Sequence, residues 1–474
     1  MIIRRPAELD LHVIDEVARG VRTIELAPAL LDELAADRAA MLAALQGDDP
    51  VYGVNTGMGA FSGVRLDAEA QAQHQNTLMS GRAVGSAPWL QRVDARAVVA
   101  ARLRTLMNPA AGASPELCLK LVSLLDLDVV PAVPARGSGA AGEIIPLAHL
   151  GAALIGAGEF VVASPEFEPR PFEAKEGVAF LEGVPGLTGM AAVAAVATRA
   201  LLAHVVTVSG LEQAIVGASL DPLHPSLGRG DEQLAGVLAA LRSARGDAPA
   251  RGLQAPVSFR VTAPALAVAL RSVQALEDAV GRSLDTVTDS PAFLDGRFVG
   301  TAGFAGTELT AACGALTTAL VHLAELGATR LHRLLDDART GLPRQLADTP
   351  GRHAGMATVH KRAVGVAHRL RRFAMPALVG AMETSLGQED AQSFTFEAAE
   401  CLREAVDGLR EVSACELLAI HQARSLGASL PAADLLERAA ALLPPGTADR
   451  PFGRDIDALT TLLRRSPEQS RSSP

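Results

Sequence analysis

Aromatic side chains are scarce. One tryptophan, one tyrosine and 13 phenylalanines make up 3% of the 474 residues. Sandwiches and barrels draw on aromatic and β-branched residues, so this shortage favours helices packed through small side chains. Cysteine is scarce too. Cys118, Cys313, Cys401 and Cys415 are scattered without CxxC spacing. That excludes a disulfide framework, speaks against zinc, and fits buried thiols in a reducing, cytoplasmic setting with no bound metal. Positive charge is in deficit, with 43 Lys and Arg against 53 Asp and Glu and a formal net charge of −10. An acidic chain makes a poor partner for nucleic acid. No apolar stretch follows Arg4 and Arg5 as a signal peptide would require. The runs closest to a membrane span, Met190–Leu211 and Phe304–Leu323, are rich in Ala, Gly and Thr and interrupted by polar residues. They are expected as buried central helices, with no membrane partner.

Hydrophobic residues, at 49%, are plentiful. The chain is long enough for a large core in one extended domain or two to three ordinary ones. Apolar spacing predicts a short helix over 11–21 and a longer one from Pro28 to Gly47. From Met190 the pattern becomes long helices with short breaks, at about 190–219, 229–244, 263–284, 304–338, 354–386 and 390–424, with shorter ones near 432–443 and 455–464. Helices of this length pack side by side as a bundle. Residues 161–180 hold Pro165, Pro169 and Pro171 and read as a small hairpin or irregular cap. The division expected is an N-terminal, loop-rich active-site domain over 1–189, a helix bundle over 190–464 and a disordered tail over 465–474. Ala311, Ala312, Gly314, Ala315 and Ala319 place small residues on several faces of one helix. Faces of that kind imply burial between subunits.

Two loops stand out. Residues 133–150, VPARGSGAAGEIIPLAHL, combine a glycine-rich turn with an apolar run. The turn lacks the GK[ST] of a P-loop and the full GxGxxG spacing after a strand, so on glycines alone it is a tight turn into a helix. Residues 51–61, VYGVNTGMGAF, form a second loop around Tyr52. A lone tyrosine is usually an amphipathic filler with its hydroxyl at the surface. Arg260 alone would be a surface charge, and Glu389-Asp390 a helix cap.

Together these stretches resemble the histidine and phenylalanine ammonia-lyase family over about residues 8–425. GSGAAGEIIPLAHL is similar to the family's GSVGASGDLAPLAH, with one residue fewer and with Glu143 for its aspartate. VYGVNTGMGAF resembles its YGxNTGFG loop, and the resemblance makes Tyr52 the catalytic base. QNTLMSGR resembles QxNLxxSH, with Asn76 and Ser80 fitting and Gly81 replacing a side-chain selector. Residues 183–190 resemble the LxNGT turn, with Thr188 in the asparagine's place. QAPVSFRVTAP resembles QDxYSxRCxPQ, so Arg260 takes the position that holds a substrate carboxylate, and Val257 replaces a tyrosine. TAGFAG stands for GGNFHG, keeping Phe304 while Gly303 and Ala305 replace asparagine and histidine. TSLGQED matches TSxxQED and puts Glu389 on the catalytic glutamate.

The resemblance implies a mainly α, ammonia-lyase/fumarase-like long-helix bundle and a homotetramer with active sites shared between subunits. Tyr52, Arg260 and Glu389 are the expected catalytic residues. Asn76, Ser80, Gly81, Thr188, Val257, Gly303 and Phe304 are the expected substrate-binding ones. In the family an Ala-Ser-Gly tripeptide cyclises and dehydrates to methylidene-imidazolone. Here the tripeptide is Ala140-Ala141-Gly142, and Ala141 has no hydroxyl to lose, so no such cofactor is expected. The lost side chains were larger or more polar than their replacements, which leads us to expect a wider, more apolar pocket for a longer, possibly carrier-tethered substrate. A tyrosine with a lowered pKa, with arginine and glutamate, would carry elimination, isomerisation or cyclisation. Two alternatives are a conventional histidine or aromatic amino acid ammonia-lyase carrying a serine-to-alanine change at 141, and a non-catalytic homologue that binds a ligand or partner.

Overall fold

The structure is a computed structural model that describes residues 1–464 apart from Ala381; the expected disordered tail, 465–474, lies outside the described residues. The protein is mainly α, as its patterning implies. The helices of the first half are α1 (Leu11–Ala18), α2 (Pro28–Ala44), α3 (Ala68–Arg82), α4 (Arg92–Leu106), α5 (Pro115–Asp126), α6 (Ile144–Leu154), α7 (Glu176–Leu181) and α8 (Pro185–Ile215). Those that follow are α9 (Glu232–Arg245), α10 (Val257–Arg260), α11 (Thr262–Asp285), α12 (Thr307–Leu334), α13 (Asp337–Thr340), α14 (Ala357–Leu370), α15 (Thr395–Ser425), α16 (Asp434–Leu442) and α17 (Phe452–Leu462).

The chain forms two compact units. The first takes Met1–Val196, Leu276–Gly314 and Pro376–Glu400, and the second takes Ala197–Ala275, Ala315–Met375 and the residues from Cys401 onward. The division is therefore discontinuous rather than a single cut near residue 189. Its boundaries fall inside α8, α11, α12 and α15, which a linear reading assigns whole. The helix expected over 354–386 stops at Leu370, and Pro376, which lacks an amide proton and disfavours helix before it, follows. Residues 161–180 are not a hairpin by themselves. Phe160–Val162 pairs antiparallel with Val130–Pro131, and residues 176–181 are helical.

In the first unit α4 is buried from Ala95 to Leu106, three arginines included. Their guanidinium groups close the ends of neighbouring helices. Arg96 donates to the carbonyls of Val17 and Ala18 at the end of α1, and to Leu125 at the end of α5. Arg102 donates to Ala179 at 3.0 Å and to the Glu182 carbonyl, both at the end of α7. Helix C-termini present unpaired carbonyls and a partial negative charge that these guanidinium groups meet. Arg96 also pairs with Asp128 at 3.0 Å and Arg104 with Asp285, while the Arg102 Nε is without a hydrogen-bond partner among the described residues. A short hairpin, Ala292–Leu294 with Arg297–Val299, turns at Asp295-Gly296, where both residues have positive φ. Asp-Gly suits that turn, and Phe293 and Phe298 pack across it with ring centroids 5.4 Å apart.

In the second unit one buried arginine ties helices together. Arg330 of α12 lies 2.6 Å from Glu212 of α8 and 2.7 Å from Glu416 of α15. Burial first, and Glu416 next, hold the Glu212 carboxyl well above its usual range. One positive charge thus faces two carboxyls, and Glu212 holds the proton that relieves them. Arg330→Met should lower the unfolding free energy by about 3–5 kcal/mol, because it strands a buried carboxylate. Glu212→Gln, which mimics the protonated acid, should shift it by less than about 1 kcal/mol. Urea denaturation followed by circular dichroism measures both.

Candidate active site

The Tyr52 loop is held by its own polar side chains. Asn55 accepts from the Val51 N–H at 2.7 Å and donates to the Asp49 carbonyl at 2.9 Å. Gly53 donates to the Thr56 hydroxyl at 3.3 Å. The loop curls so that the Gly59 N–H donates to the Tyr52 hydroxyl oxygen at 2.8 Å. Gly59 in turn abuts Ser385, whose Oγ lies 3.5 Å from where a Cβ on Gly59 would sit.

Ser385 leads to Glu389 and then to the glycine-rich turn. The Ser385 hydroxyl donates to Glu389 Oε1 at 2.8 Å, and the Ala141 N–H donates to Glu389 Oε2 at 2.8 Å. Hydrogen bonds therefore join Ser385, Glu389 and Ala141, and the Gly59 end of the Tyr52 loop lies beside Ser385. Gly142, at φ +81, is the turn's sharpest point. A Cβ there would meet the carbonyls of Gly183 and Phe304 at 3.3 and 3.4 Å, so Phe304 serves the site with its backbone, laid against that turn.

The next residue anchors the turn. Glu143 is fully buried, and its carboxylate accepts from the N–H groups of Gly186 at 2.5 Å and Leu187 at 2.8 Å, in the first turn of α8. These are amides that a helix start leaves without partners, next to its positive dipole end. The Thr395 hydroxyl, at the start of α15, bonds to the same carboxyl. Burial still outweighs these bonds and raises its pKa to about 7.

Several expected substrate-binding residues are occupied within the fold. Thr188 is fully buried; its hydroxyl bonds to the Val184 carbonyl at 2.7 Å and to Ser283 Oγ at 2.8 Å. The Asn76 amide pairs both ways with the Phe172 backbone, at 2.9 and 2.7 Å. Gly303 runs so close to its neighbours that a Cβ would fall 1.9 Å from the Val287 carbonyl. Ser80 and Gly81 are exposed near the end of α3, and a Cβ on Gly81 would meet nothing within 4 Å. Val257, exposed, and Arg260 lie on α10 in the second unit. The Arg260 Nε is buried without a hydrogen-bond partner among the described residues.

Two groups of the cleft escape a reading of motifs. Glu182, half-buried, has its carboxyl pushed up to about 8, first by burial and then by Asp289, while Lys175 and Arg102 oppose the rise. Arg82, the last residue of α3, interacts electrostatically with Tyr52, Glu389 and Glu182. Neither is marked by its residue type; Arg82 only follows Gly81 at the end of QNTLMSGR. The groups of the first unit that act on Tyr52 are therefore titratable ones, Glu182, Glu389 and Arg82. The tyrosine departs from expectation. Burial, followed by the charges of Glu182 and Glu389, raises the Tyr52 pKa above 10 rather than lowering it, against the Gly59 N–H and Arg82.

Tyr52 is the one tyrosine of the chain, so the near-ultraviolet phenolate band of the native protein reports it alone. That band should appear at higher pH in the folded protein than in urea. Glu143 has a raised folded pKa, so its contribution to stability is complete below its unfolded value, near 4.5, and is lost as pH rises through about 7. Glu143→Gln removes this loss. Melting curves across that range should show the variant gaining on the wild type as pH rises.

The chain is similar to known proteins over most of its length. The family model for aromatic amino acid lyases matches residues 9–444. The histidine ammonia-lyase of Gloeobacter violaceus is 31% identical over 476 aligned positions, covering 94% of this chain and 92% of that protein. The histidine ammonia-lyase of Streptomyces avermitilis is 31% identical, covering 94% and 93%. Among solved structures, tyrosine aminomutase from Streptomyces globisporus superimposes with a TM-score of 0.89 at 23% identity, over 96% of this chain and 95% of that one. An ergothionase from Treponema denticola gives 0.89 at 21% identity, over 98% and 99%.

Proposed function

The chain belongs to the aromatic amino acid lyase family, and we propose that it is a member that works without methylidene-imidazolone, by acid–base chemistry at Tyr52. By that membership it is a lyase-family enzyme. Ala140-Ala141-Gly142 does not fit the cofactor as the family builds it, because Ala141 has no hydroxyl to eliminate and its N–H is held by Glu389. The observation that carries the proposal is that the Tyr52–Gly59 loop lies beside Ser385, whose hydroxyl, together with the Ala141 N–H, binds Glu389. The tyrosine and glutamate remain neighbours around a turn that has lost its serine.

In this reading Tyr52 takes a proton from carbon next to a carbonyl or imine. The Gly59 N–H and Arg82 favour its phenolate form. Glu182, still largely protonated at neutral pH, is the matching acid. Glu389 orients the turn and acts as the further acid or base. Arg260 holds the resulting oxyanion, through a homotetramer with active sites shared between subunits. Elimination, isomerisation or cyclisation follows from which bond of the substrate breaks next. The open space at Gly81 supports a substrate larger than a free amino acid, such as an acyl group tethered to a carrier.

Proton abstraction is measurable before the product is known. Free histidine, phenylalanine and tyrosine, and a set of acyl thioesters, are incubated with the enzyme in D2O and analysed by mass spectrometry. Deuterium should enter a thioester next to its carbonyl. Tyr52→Phe should cut the rate by roughly 10²–10⁴ with unchanged circular dichroism. Full incorporation by that variant overturns the proposal, as does ammonia release from a free amino acid by Ala141→Ser. The base must be deprotonated and the acid protonated, so kcat/KM should rise with pH to about 8 and then level until Tyr52 ionises above 10.

A further inference from the structure

We propose that Arg82 is an anion-binding residue of the cleft, and that the substrate carries a second negatively charged group, a carboxylate or a phosphate, at the end opened by Gly81. The inference rests on reading the Tyr52 cleft as the substrate site.

Three observations converge on it. The Arg82 guanidinium is half-buried, and it forms no hydrogen bond or ion pair among the described residues. The buried arginines of α4 all have partners, Arg96 helix-end carbonyls and Asp128, Arg104 Asp285, and Arg102 helix-end carbonyls at both terminal nitrogens though none at Nε. A desolvated cation without partners is unfavourable unless a ligand completes it.

Arg82 is also the cation that acts on Tyr52, next to Glu182 and Glu389. The Glu389 oxygens are already engaged by Ser385 and Ala141. The Glu182 carboxyl is largely neutral at pH 7. Arg82 forms no ion pair with either carboxyl among the described residues, and a neutral Glu182 does not repel an incoming anion.

Gly81, immediately before Arg82, leaves open space where a side chain would stand. Gly81 is exposed, so a ligand's acidic end can approach Arg82 from solvent on that side. A plainer role for Arg82, a cation complementing the α3 C-terminus, would place it in solvent, where such charges are normally found. Its burial speaks against that role. Arginine rather than lysine suits the task, since its planar fork matches a carboxylate or phosphate with two parallel bonds.

The test uses the full-length protein and two probes, succinate and inorganic phosphate, in isothermal titration calorimetry at constant ionic strength set with chloride. Wild type should bind one of them, and which one separates a carboxylate-bearing from a phosphate-bearing substrate. Arg82→Gln should weaken that binding by about 10- to 100-fold, and Arg82→Lys should fall between. Without ligand, Arg82→Gln should melt no lower than wild type, which separates a binding role from a structural one. Equal affinity in wild type and Arg82→Gln overturns the proposal, as does absence of binding to wild type at about 10 mM of either probe. Tyr52→Phe should keep the anion affinity. A failure of the Tyr52 chemistry and a failure of the anion site are therefore read separately.

Discussion

The position of the glycine-rich turn depends on one buried carboxyl. Glu143 receives the first amides of α8 and bonds to Thr395 at the start of α15. It thereby fixes where the turn ends and where two long helices of the unit begin. The bonds favour its charged form while burial opposes it, and the outcome is a group poised near neutrality. The turn before it needs no reactive side chain to stay in place. With Glu389 on the Ala141 amide and Gly142 pressed under two carbonyls, its backbone is held from both sides.

Charge beneath the cleft is arranged as carefully as charge within it. Lys175 is fully buried, donates to the Ala111 carbonyl at 2.9 Å and pairs with Asp289. Arg102, its own pKa lowered to about 10 by burial, grips the Glu182 backbone. These two cations sit near a carboxyl that remains protonated, because Asp289 and desolvation outweigh them. Lys175, Arg102, Asp289 and Glu182 thus form a compensated charge network that keeps its proton on Glu182.

Much of this was legible from residues alone. Long runs of small and apolar residues gave the helices, since apolar spacing persists over many turns. Tyr52, Glu389 and Ala141 lay in distinctive loops, and the fold brings those loops together. Thr188 and Asn76 had equally good motif context but satisfy partners about a hundred positions away, Ser283 and Phe172, which no local pattern reveals. Glu182 and Arg82 are ordinary charged residues whose significance comes only from enclosure. Unit boundaries inside helices were illegible for the same reason, because they reflect long-range packing and leave local propensity unchanged.

Gly303 carries a consequence for how room is used. Its backbone passes so near the Val287 carbonyl that a side chain of any kind would collide with it. An asparagine at this position, as the family resemblance implies for relatives, demands a different path for one of the two strands of chain. With the two segments this close, no larger residue fits at 303 unless the backbone moves. Room is thus used differently at two small residues, since at Gly303 the backbone fills the place a side chain would need, whereas at Gly81 that place stays open.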